Sequence, residues 1–379
     1  MSGRETASDG ATRPGRKEAR RAMADTLRIL VVSTPVGPIG SGEGGGVELT
    51  AAVLSEGLTA RGHDVTVLAP AGSRAPGIRL VEVPGVPQVP AQTTGRDAPA
   101  TIPAGSVLAA MWDEVRRRQW STDVVVNLAY DWLPMYLSGF LTVPVAHLVS
   151  MASLSDVMDE AVCSVAAMEP ASVAVHSQAQ AETFPCGVDL RVVGNGIPVD
   201  RYPFVPAGNG DLAWVGRIAA EKGLDAAFAV AERTGRRLRV WGLRQDPDAW
   251  QAARAAHPGA DVSYEGFLPP DALAAGLGRC DALLVTPDWV EAFGNVAVEA
   301  LACGVPVVAY RRGGPAEIVQ DGVTGFVVPP DDVDALVAAV ARVRGLDRRA
   351  CRADAEARWS AAAMAERVEA WLVDLLDGA

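Results

Sequence analysis

The chain alternates between short apolar runs and longer amphipathic stretches, which is the pattern of β-strands and α-helices that follow one another. Residues 28–34 form a continuous apolar run of the kind that is buried in parallel sheets. A glycine-rich stretch at 40–46 comes next, followed by a helical stretch at 47–60 and an apolar run at 64–69. This order predicts a βαβ unit, and such units build parallel sheets that helices cover on both faces.

The same alternation continues along the chain and is interrupted once. In the first half, further strands are predicted at 123–128, 143–147, 172–175 and 190–193, and residues 84–103 are predicted to form a long loop. A segment rich in glycine and proline at 194–210 is typical of a hinge. Helical stretches at 331–343 and 348–376 close the chain. Between them and the hinge, six more strands are predicted at 212–215, 238–241, 262–264, 282–285, 305–309 and 325–328.

This pattern predicts an α/β protein with two tandem, doubly wound, Rossmann-like domains. We assign residues 26–200 to the N-terminal domain, residues 201–360 to the C-terminal domain and residues 361–379 to a final helix. Residues 1–25 are charged and rich in glycine, serine and alanine, which predicts a disordered tail. Ligands of such sheets bind beyond the carboxyl ends of the strands, so we expect a ligand-binding cleft between the domains.

Composition and charge limit the possible partners. A length of 379 residues with 49% apolar and 21% charged residues is that of a globular protein with more than one domain. The net charge of −12 excludes nucleic acid as a general partner, because no excess of cations can neutralise phosphates. No apolar run reaches the roughly 20 residues of a membrane span. With either Met1 or Met23 as the start, no signal peptide is expected.

Cysteine and histidine usage predicts neither disulfides nor a metal site. The five cysteines are widely spaced and lack a C-x-x-C pair, so we expect no disulfide framework and a reducing, cytoplasmic location. The four histidines share no spacing that would hold a metal ion. Asp246-Pro247-Asp248 imitates an Asp-x-Asp metal motif, but we expect it to begin a helix and assign no metal.

The strongest candidate for chemistry is the segment from Glu291 to Glu299, which links a predicted strand to a predicted helix. At the helix start the backbone amides are unpaired and favour an anion such as phosphate, and these amides belong to Phe293, Gly294, Asn295 and Val296. Glycine at 294 lets a phosphate approach the backbone. Glu299 lies where its carboxylate can accept hydrogen bonds from the vicinal hydroxyls of a ribose. The alternative is that both glutamates only favour the amino end of a helix.

Arg217 and Lys222, which follow another strand end, form the second candidate. Of the 34 basic residues only Lys17 and Lys222 are lysine, which makes the lysine in the folded body unusual. Where a phosphorylated group leaves and gains negative charge, fixed cations beside it stabilise the transition state more than the ground state. Arg217 can bind phosphate oxygens bidentately, and Lys222 adds a compact charge. The alternative is a pair of solvated surface cations.

Further candidates lie in the N-terminal domain. Gly45 and Gly46 belong to a glycine-rich loop that opens the first helix, and its amides are predicted to face phosphates or a second substrate across the cleft, although a flexible turn explains the loop equally well. In the same constellation Glu48 is a candidate for binding that second substrate. Asp131 follows a strand and is also a candidate for contact with it, with helix capping as the alternative. His147 ends the strand at 143–147, where a lone histidine is as often structural as functional.

These motifs resemble those of the retaining glycosyltransferases of family 4, whose GT-B fold has two facing Rossmann-like domains. Their hallmark is a Glu followed after seven residues by a second Glu, in a Glu-x-Phe-Gly context, and Glu291 and Glu299 match it. The resemblance implies that Glu291 contacts the donor sugar and Glu299 the nucleoside ribose. It also implies that residues 293–296 bind the diphosphate together with Arg217 and Lys222.

The same resemblance assigns the remaining donor contacts. It implies a catalytic role for His147 near the donor sugar, and backbone contacts of Gly266 and Phe267 with the base. The Gly-x-Gly that often follows the next strand in that family is replaced here by residues 241–244, so base recognition departs from the family pattern. The resemblance implies a nucleotide-sugar donor, no metal and no further cofactor.

Patches of the N-terminal domain resemble bacterial UDP-glucose:tetrahydrobiopterin glucosyltransferases, at residues 33–42, 45–50, 129–134 and 147–153. The predicted function is therefore transfer of a sugar, with UDP-glucose as the expected donor and a small molecule such as a tetrahydropterin as the acceptor. A lipid or another acceptor is the alternative within this class. From other classes, we consider a tandem-Rossmann oxidoreductase, whose Gly-x-Gly-x-x-Gly register is missing, and a catalytically silent nucleotide-binding module.

Overall fold

The computed structural model describes residues 26–41 and 45–378, and the tail predicted at 1–25 lies outside them. Within this part of the chain the first sheet contains β1 (Arg28–Val32), β2 (Asp64–Pro70), β3 (Arg79–Val83), β4 (Val124–Asn127), β5 (Val145–Leu148), β6 (Val173–Val175) and β7 (Arg191–Val192). The strands are parallel, and their order is β3-β2-β1-β4-β5-β6-β7.

Helices cover both faces of this sheet, namely α1 (Gly46–Ala60), α2 (Val107–Arg118), α3 (Trp132–Ser138), α4 (Asp156–Met168) and α5 (Gln178–Ala181). Successive side chains of a strand point to opposite faces. Val31 of β1 accordingly packs in one core with Leu54 of α1. Its neighbour Leu30 packs in a second core with Met111 of α2. Burial on both faces explains why the strands read as continuous apolar runs.

The second sheet contains β8 (Leu212–Val215), β9 (Leu238–Trp241), β10 (Val262–Gly266), β11 (Ala282–Val285), β12 (Val307–Tyr310) and β13 (Gly325–Val328). These strands are also parallel, in the order β10-β9-β8-β11-β12-β13. The helices of this half are α6 (Leu224–Thr234), α7 (Pro247–Ala256), α8 (Pro270–Leu277), α9 (Asn295–Ala302), α10 (Pro315–Ile318), α11 (Val333–Arg342) and α12 (Arg348–Trp359).

Both sheets reverse their strand order at one place. In the first sheet β1 lies between β2 and β4, and in the second β8 lies between β9 and β11. Within each sheet, the connections that leave the two adjacent strands, β1 and β4 or β8 and β11, therefore run in opposite directions. A crevice opens beyond the carboxyl ends of these strands. The segments after β1, β4, β8 and β11 contain most of the candidate site residues.

The last helix, α13 (Ala361–Gly378), returns to the first domain. Its buried residues Val368, Trp371 and Leu372 share a core with Leu54 and Leu58 of α1. The helical stretch predicted at 348–376 is thus two helices separated at Ser360, because each packs on a different domain.

All twelve predicted strands are present, some with ends shifted by one or two residues. The strand β3 was not predicted, since its sequence Arg-Leu-Val-Glu-Val at the sheet edge mixes charged and apolar residues. The helix expected at Asp246 is confirmed, because the Asp246 carboxylate accepts hydrogen bonds from the amides of Asp248 and Ala249 at the start of α7. No helix in residues 26–41 or 45–378 is both long and apolar enough to cross a membrane.

The expectation that the cysteines form no disulfide is wrong for one pair. Cys163 of α4 and Cys186, which follows α5, are joined by a disulfide with their Cα atoms 4.5 Å apart. They lie 23 residues apart in the chain, and only the packing of α4 beside the segment after α5 brings them together. The other three cysteines, Cys280, Cys303 and Cys351, are buried thiols.

Candidate active site

The loops after β8 and β11 meet at the point where the second sheet reverses its strand order. The hydroxyl of Thr286 donates a hydrogen bond of 2.7 Å to the Gly223 carbonyl, and the amide of Asp288 donates one of 2.9 Å to the Glu221 carbonyl. These contacts hold the loop that carries Arg217 and Lys222 beside the loop that carries Glu291.

Lys222 and Glu291 form an ion pair across the two loops. The indole Nε1 of Trp289 donates a 3.2 Å hydrogen bond to the same carboxylate oxygen, and the ring of Trp289 lies 4.7 Å from the Lys222 Nζ atom. Both charged side chains are about one-fifth exposed. An incoming anion thus meets a lysine that is already fixed in position, and the Glu291 carboxylate is neutralised by that lysine.

Arg217 lies on the same loop, about one-third exposed. Its guanidinium donates a 3.0 Å hydrogen bond to the Glu221 carboxylate and another hydrogen bond to the Gln245 side chain. These two partners orient the guanidinium, whose five N–H donors exceed what the two contacts use. The remaining donors are available to an anion in the crevice.

Helix α9 begins at Asn295, four residues after Glu291, with uncapped backbone amides. Its N-cap residue is Gly294, with φ of 96° and no side-chain hydrogen bond to the first amides, which include those of Asn295 and Val296. A Cβ atom at Gly294 would lie 2.7 Å from Cγ of Pro315, so glycine is required by the backbone conformation as well as by the packing of Pro315. Phe293 is buried in the core, so only its backbone is available to a ligand.

Gly313 and Gly314, which were not among the predicted site residues, pack against the turn between Glu291 and α9. A Cβ atom at Gly313 would lie 2.2 Å from the Glu291 carbonyl oxygen, and one at Gly314 would lie 2.4 Å from that of Phe293. The amide of Gly314 also donates a 2.8 Å hydrogen bond to the Glu291 carbonyl. The Gly-Gly-Pro sequence after β12 was the available signal, since such sequences mark tight turns.

The N-terminus of α1 approaches that of α9 from the other domain. Gly45 is the N-cap of α1, with φ of 62° and no side-chain cap, and the preceding Gly44 lies outside the described residues. A Cβ atom at Gly46 would lie 2.8 Å from the Asn295 Nδ2 atom. The side-chain amide of Asn195 donates hydrogen bonds of 3.0 Å to Thr50 and 2.9 Å to Asn295. Two positive helix ends thus meet in one crevice, which favours a multiply charged anion.

Glu299 of α9 lies behind this amide cluster. Its carboxylate accepts a 3.2 Å hydrogen bond from the hydroxyl of Tyr202, and burial raises its pKa to about 7. A carboxyl group that titrates near neutrality is sensitive to a ligand that supplies further donors.

The pKa of Glu299 leads to a prediction about UDP. In the role that the family resemblance implies for Glu299, the ionised carboxylate would accept hydrogen bonds from both ribose hydroxyls, and the protonated form would lose part of that capacity. With a pKa of about 7, the ionised fraction of Glu299 rises from about one-tenth at pH 6 to about nine-tenths at pH 8, so we expect calorimetry to show UDP binding that strengthens about tenfold over this range. The terminal phosphate of UDP titrates in the same range, so Glu299→Gln is the control. An equal pH dependence in both proteins would contradict the ribose role.

His147 is fully buried at the end of β5, and burial lowers its pKa to about 3. The side-chain oxygen of Asn127, on β4, accepts a hydrogen bond from the Ala129 amide. The Nδ2 atom of Asn127 therefore faces the imidazole and lies 3.2 Å from Nδ1 of His147. The ring is therefore neutral and carries its proton on Nε2, which has no hydrogen-bond partner among the described residues. Asn127 was missed in the sequence because a polar residue ending an apolar run is also typical of a strand end.

The two acceptor-side candidates have different surroundings. Asp131 caps α3 by accepting a 3.0 Å hydrogen bond from the Leu133 amide, and it accepts another of 3.1 Å from Gln88. Burial raises the pKa of the Asp131 carboxyl above its usual value. The buried carboxylate of Glu48 accepts hydrogen bonds from the Gly40 amide and the Ser41 hydroxyl, and so holds the loop before α1.

Gly266 and Phe267 end β10 at the same edge as the loops after β8 and β11. The Gly266 carbonyl accepts a 2.9 Å hydrogen bond from the Gly242 amide, and Phe267 is largely exposed. A Cβ atom at Gly242 would lie 1.7 Å from the Gly216 carbonyl oxygen, so this glycine is required by packing although the family's Gly-x-Gly is incomplete. Among the described residues, no group of three or more His, Cys, Asp or Glu side chains is arranged to hold a metal ion.

Two Rossmann-like domains whose switch points face each other, with cations and free helix amides on the facing edges, define a tandem-Rossmann protein with a site for a phosphorylated ligand between the domains. Residues 44–201 match the family described as Glycosyltransferase Family 4, and residues 205–362 match the one described as Glycosyl transferases group 1. A glycogen synthase of Mycobacterium tuberculosis is 31% identical over 364 residues, which cover 84% of this chain and 86% of the relative. The chain therefore belongs to the glycosyltransferases with the GT-B fold.

Other similar proteins agree with this membership. A D-inositol 3-phosphate glycosyltransferase of Mycobacterium marinum is 27% identical over an alignment of 386 positions, which covers 89% of this chain and 82% of the relative. The crystal structure of Anabaena Alr3699/HepE in complex with UDP and glucose has the same fold, with a TM-score of 0.71 at 19% identity over 92% of this chain and 100% of that one. The oxidoreductase alternative is thereby excluded, and the predicted fold class is confirmed.

Proposed function

We propose that this glycosyltransferase is a retaining, metal-independent enzyme that transfers glucose from UDP-glucose to a small-molecule acceptor. The observation that carries the proposal is the ion pair between Lys222 and Glu291, which joins the loop that carries Arg217 to the loop before the free amides of α9, with the N-terminus of α1 across the cleft. These groups together suit a diphosphate whose charge increases as it leaves. Two protein cations and two helix N-termini supply the positive charge that a metal ion otherwise provides.

The proposed reaction is an internal return on one face of the sugar. The bond from the anomeric carbon to the diphosphate breaks, the acceptor oxygen forms a new bond on the same face, and a diphosphate oxygen takes the acceptor proton. No enzyme carboxylate forms a covalent adduct. The ion pair between Glu291 and Lys222 supports this route. The Glu291 carboxylate is neutralised by the lysine and accepts a hydrogen bond from Trp289, which makes it a poor nucleophile.

In this proposal His147 contributes a hydrogen-bond donor rather than a proton acceptor. Its Nδ1 faces Asn127, so the proton on Nε2 is the group it can offer to a sugar hydroxyl or to the acceptor. A pKa near 3 keeps the ring neutral throughout the working pH range. Asn127 is then a positioning residue that selects the tautomer.

The donor and acceptor follow from different observations. UDP-glucose is proposed because HepE was solved with UDP-glucose and with UDP and glucose, and because the crevice suits a diphosphate. A reduced pterin is proposed as the acceptor on the resemblance of N-terminal patches to tetrahydrobiopterin glucosyltransferases. A lipid acceptor is the alternative.

The proposal is tested by donor selection and product stereochemistry. We expect calorimetry with UDP, GDP and ADP to favour UDP, and incubation with UDP-glucose and tetrahydrobiopterin to yield a hexosyl adduct by mass spectrometry. Proton NMR of the product should show the α-anomer of the donor retained, with turnover unchanged by EDTA. An inverted anomer would refute the mechanism, and binding of UDP without transfer or hydrolysis of UDP-glucose would identify a silent nucleotide-binding module instead.

A further inference from the structure

A concave pocket lies at the carboxyl edge of the first sheet, next to the crevice. It is open to solvent, has a free volume of about 50 Å³, and is lined by the segments after β1, β4 and β5, by Val47 of α1 and by the loop at 88–92. Val47 follows Gly46, the residue that contacts Asn295 across the cleft, so the pocket opens beside the proposed diphosphate site. Pockets that enclose a whole drug-sized ligand are several times larger, so this one would receive the edge of a small ring while the rest of the ligand lies in the crevice.

The lining of this pocket has one charged group. Most of its side chains are apolar or neutral, including Val36, Leu128 and Met151. Among the described residues that line it, none is lysine or arginine, and Asp131 is the one carboxylate. A phosphate or carboxylate of a ligand would therefore meet no cation in this lining and would lie close to a negative charge, and like charges at short distance repel.

Two groups in the pocket have unused capacity to accept hydrogen bonds. The Asp131 carboxylate, half-buried, is held by the Leu133 amide and by Gln88, and an ionised carboxylate offers about four acceptor positions. The side-chain oxygen of Gln92, which also lines the pocket, is buried and has no hydrogen-bond partner in the part of the chain that the structure describes. An unpaired buried acceptor is costly, and a ligand donor removes that cost.

We propose that the acceptor is a neutral or cationic small molecule that offers N–H donors to Asp131 and carries no phosphate or carboxylate group. This inference rests on the proposed function, since it names the acceptor class for the same site. A 2-amino-4-oxopyrimidine ring, as in reduced pterins, belongs to this class because its amino group and the neighbouring ring N–H form two adjacent donors that one carboxylate accepts. Gln88, which contacts Asp131 and the Thr101 carbonyl, orients the carboxylate.

The test uses a matched pair of probes, dihydroneopterin and dihydroneopterin triphosphate, with myo-inositol 1-phosphate as a third. Each is titrated calorimetrically into the full chain in the presence of saturating UDP, without oxygen. We expect dihydroneopterin to bind at least about tenfold more tightly than either phosphorylated probe, because only it avoids placing an anion near Asp131. Tighter binding of either phosphorylated probe, or no binding of dihydroneopterin, overturns the proposal.

Variants of the pocket separate recognition from folding. Asp131→Asn keeps a residue that caps α3 well, and it should weaken dihydroneopterin binding at least about tenfold. Gln92→Leu should weaken binding without lowering the melting temperature, since it removes a buried unpaired acceptor. The matched control is Asp113→Asn, an exposed carboxylate of α2 paired with Arg116, which should leave the affinity unchanged.

Unchanged dihydroneopterin affinity in Asp131→Asn overturns the assigned contact. The UDP titration that precedes each experiment is independent of the pocket. Failure of wild-type protein to bind UDP would refute the proposed function, whereas UDP binding with the wrong acceptor preference would refute only the acceptor class.

Discussion

Replacement of Lys222 by alanine should lower kcat for UDP-glucose by about 10³-fold, the upper end of the loss that follows removal of one preorganised group that stabilises transition-state charge. Two effects combine at this position. The leaving diphosphate loses the cation that the geometry fixes beside it, and Glu291 loses its ion-pair partner in a site where both side chains are about one-fifth exposed. Turnover is measured as UDP release at saturating donor and acceptor.

The loss of turnover in Lys222→Ala is expected to come from the missing positive charge. Two controls separate this cause from the change in side-chain shape and from the loss of a cation elsewhere. Lys222→Arg keeps the positive charge and should retain more activity than Lys222→Ala. Arg233→Ala is the matched control, because this cation of α6 is exposed and pairs with Asp334, and its loss should leave turnover within about twofold of wild type, as for isolated surface ion pairs. Near-normal turnover of a folded Lys222→Ala protein would refute the assigned role.

Glu291→Ala should also reduce turnover severely while the protein stays folded. The double variant, with both Lys222 and Glu291 replaced by alanine, should lose less turnover than the product of the two single losses. Residues in direct contact are not additive, since each single change already disrupts the shared ion pair. Full additivity in this double-mutant cycle would mean that the two side chains act independently.

Replacement of Gly223 by alanine should have the largest effect on the structure of the site. Gly223 has φ of 62°, and its Cβ would lie 1.7 Å from the Thr286 carbonyl oxygen, so the two loops must separate to accept the methyl group. A left-handed conformation alone costs about 1–2 kcal/mol for a residue with a side chain. The clash comes in addition, so we expect a lower melting temperature by calorimetry and a large loss of UDP affinity.

Gly223 precedes helix α6, and the glycine at the other end of that helix supplies a matched control. Gly235 ends α6 with φ of 63°, and a Cβ there would have no atom within 4 Å. Gly235→Ala therefore carries the same conformational cost without the clash, and it should keep UDP affinity. If the two variants lose the same stability and the same affinity, close packing of the loops at Gly223 is not what positions Lys222.

The sequence predicted the features that depend on local pattern. Continuous apolar runs identified most strands of both sheets, because a strand buried on both faces needs apolar residues at successive positions. The spacing of Glu291 and Glu299 around Phe293 and Gly294 predicted a strand-to-helix turn with free amides, and α9 begins there. The scarcity of lysine directed attention to Lys222 before its partner was known.

Contacts that join distant segments of the chain left no signal in the local sequence. The disulfide between Cys163 and Cys186 was not expected, since spacing along the chain does not report the packing of α4 against the segment after α5. Gln88 and Gln92 were placed in a featureless loop, because an amide side chain has no local signature of function. Nothing local indicated that Asn127 determines which nitrogen of His147 carries the proton.

By itself, then, the sequence determined the element order, the two α/β domains and the residue types at each strand end, because these follow from periodicity and turn chemistry. The tertiary structure decided that Lys222 pairs with Glu291, 69 positions away, and that α13 returns to the first domain. It also decided that the N-termini of α1 and α9 face each other. The physical reason is that the order in which strands pair selects which loops become neighbours, and that order depends on packing across the whole chain.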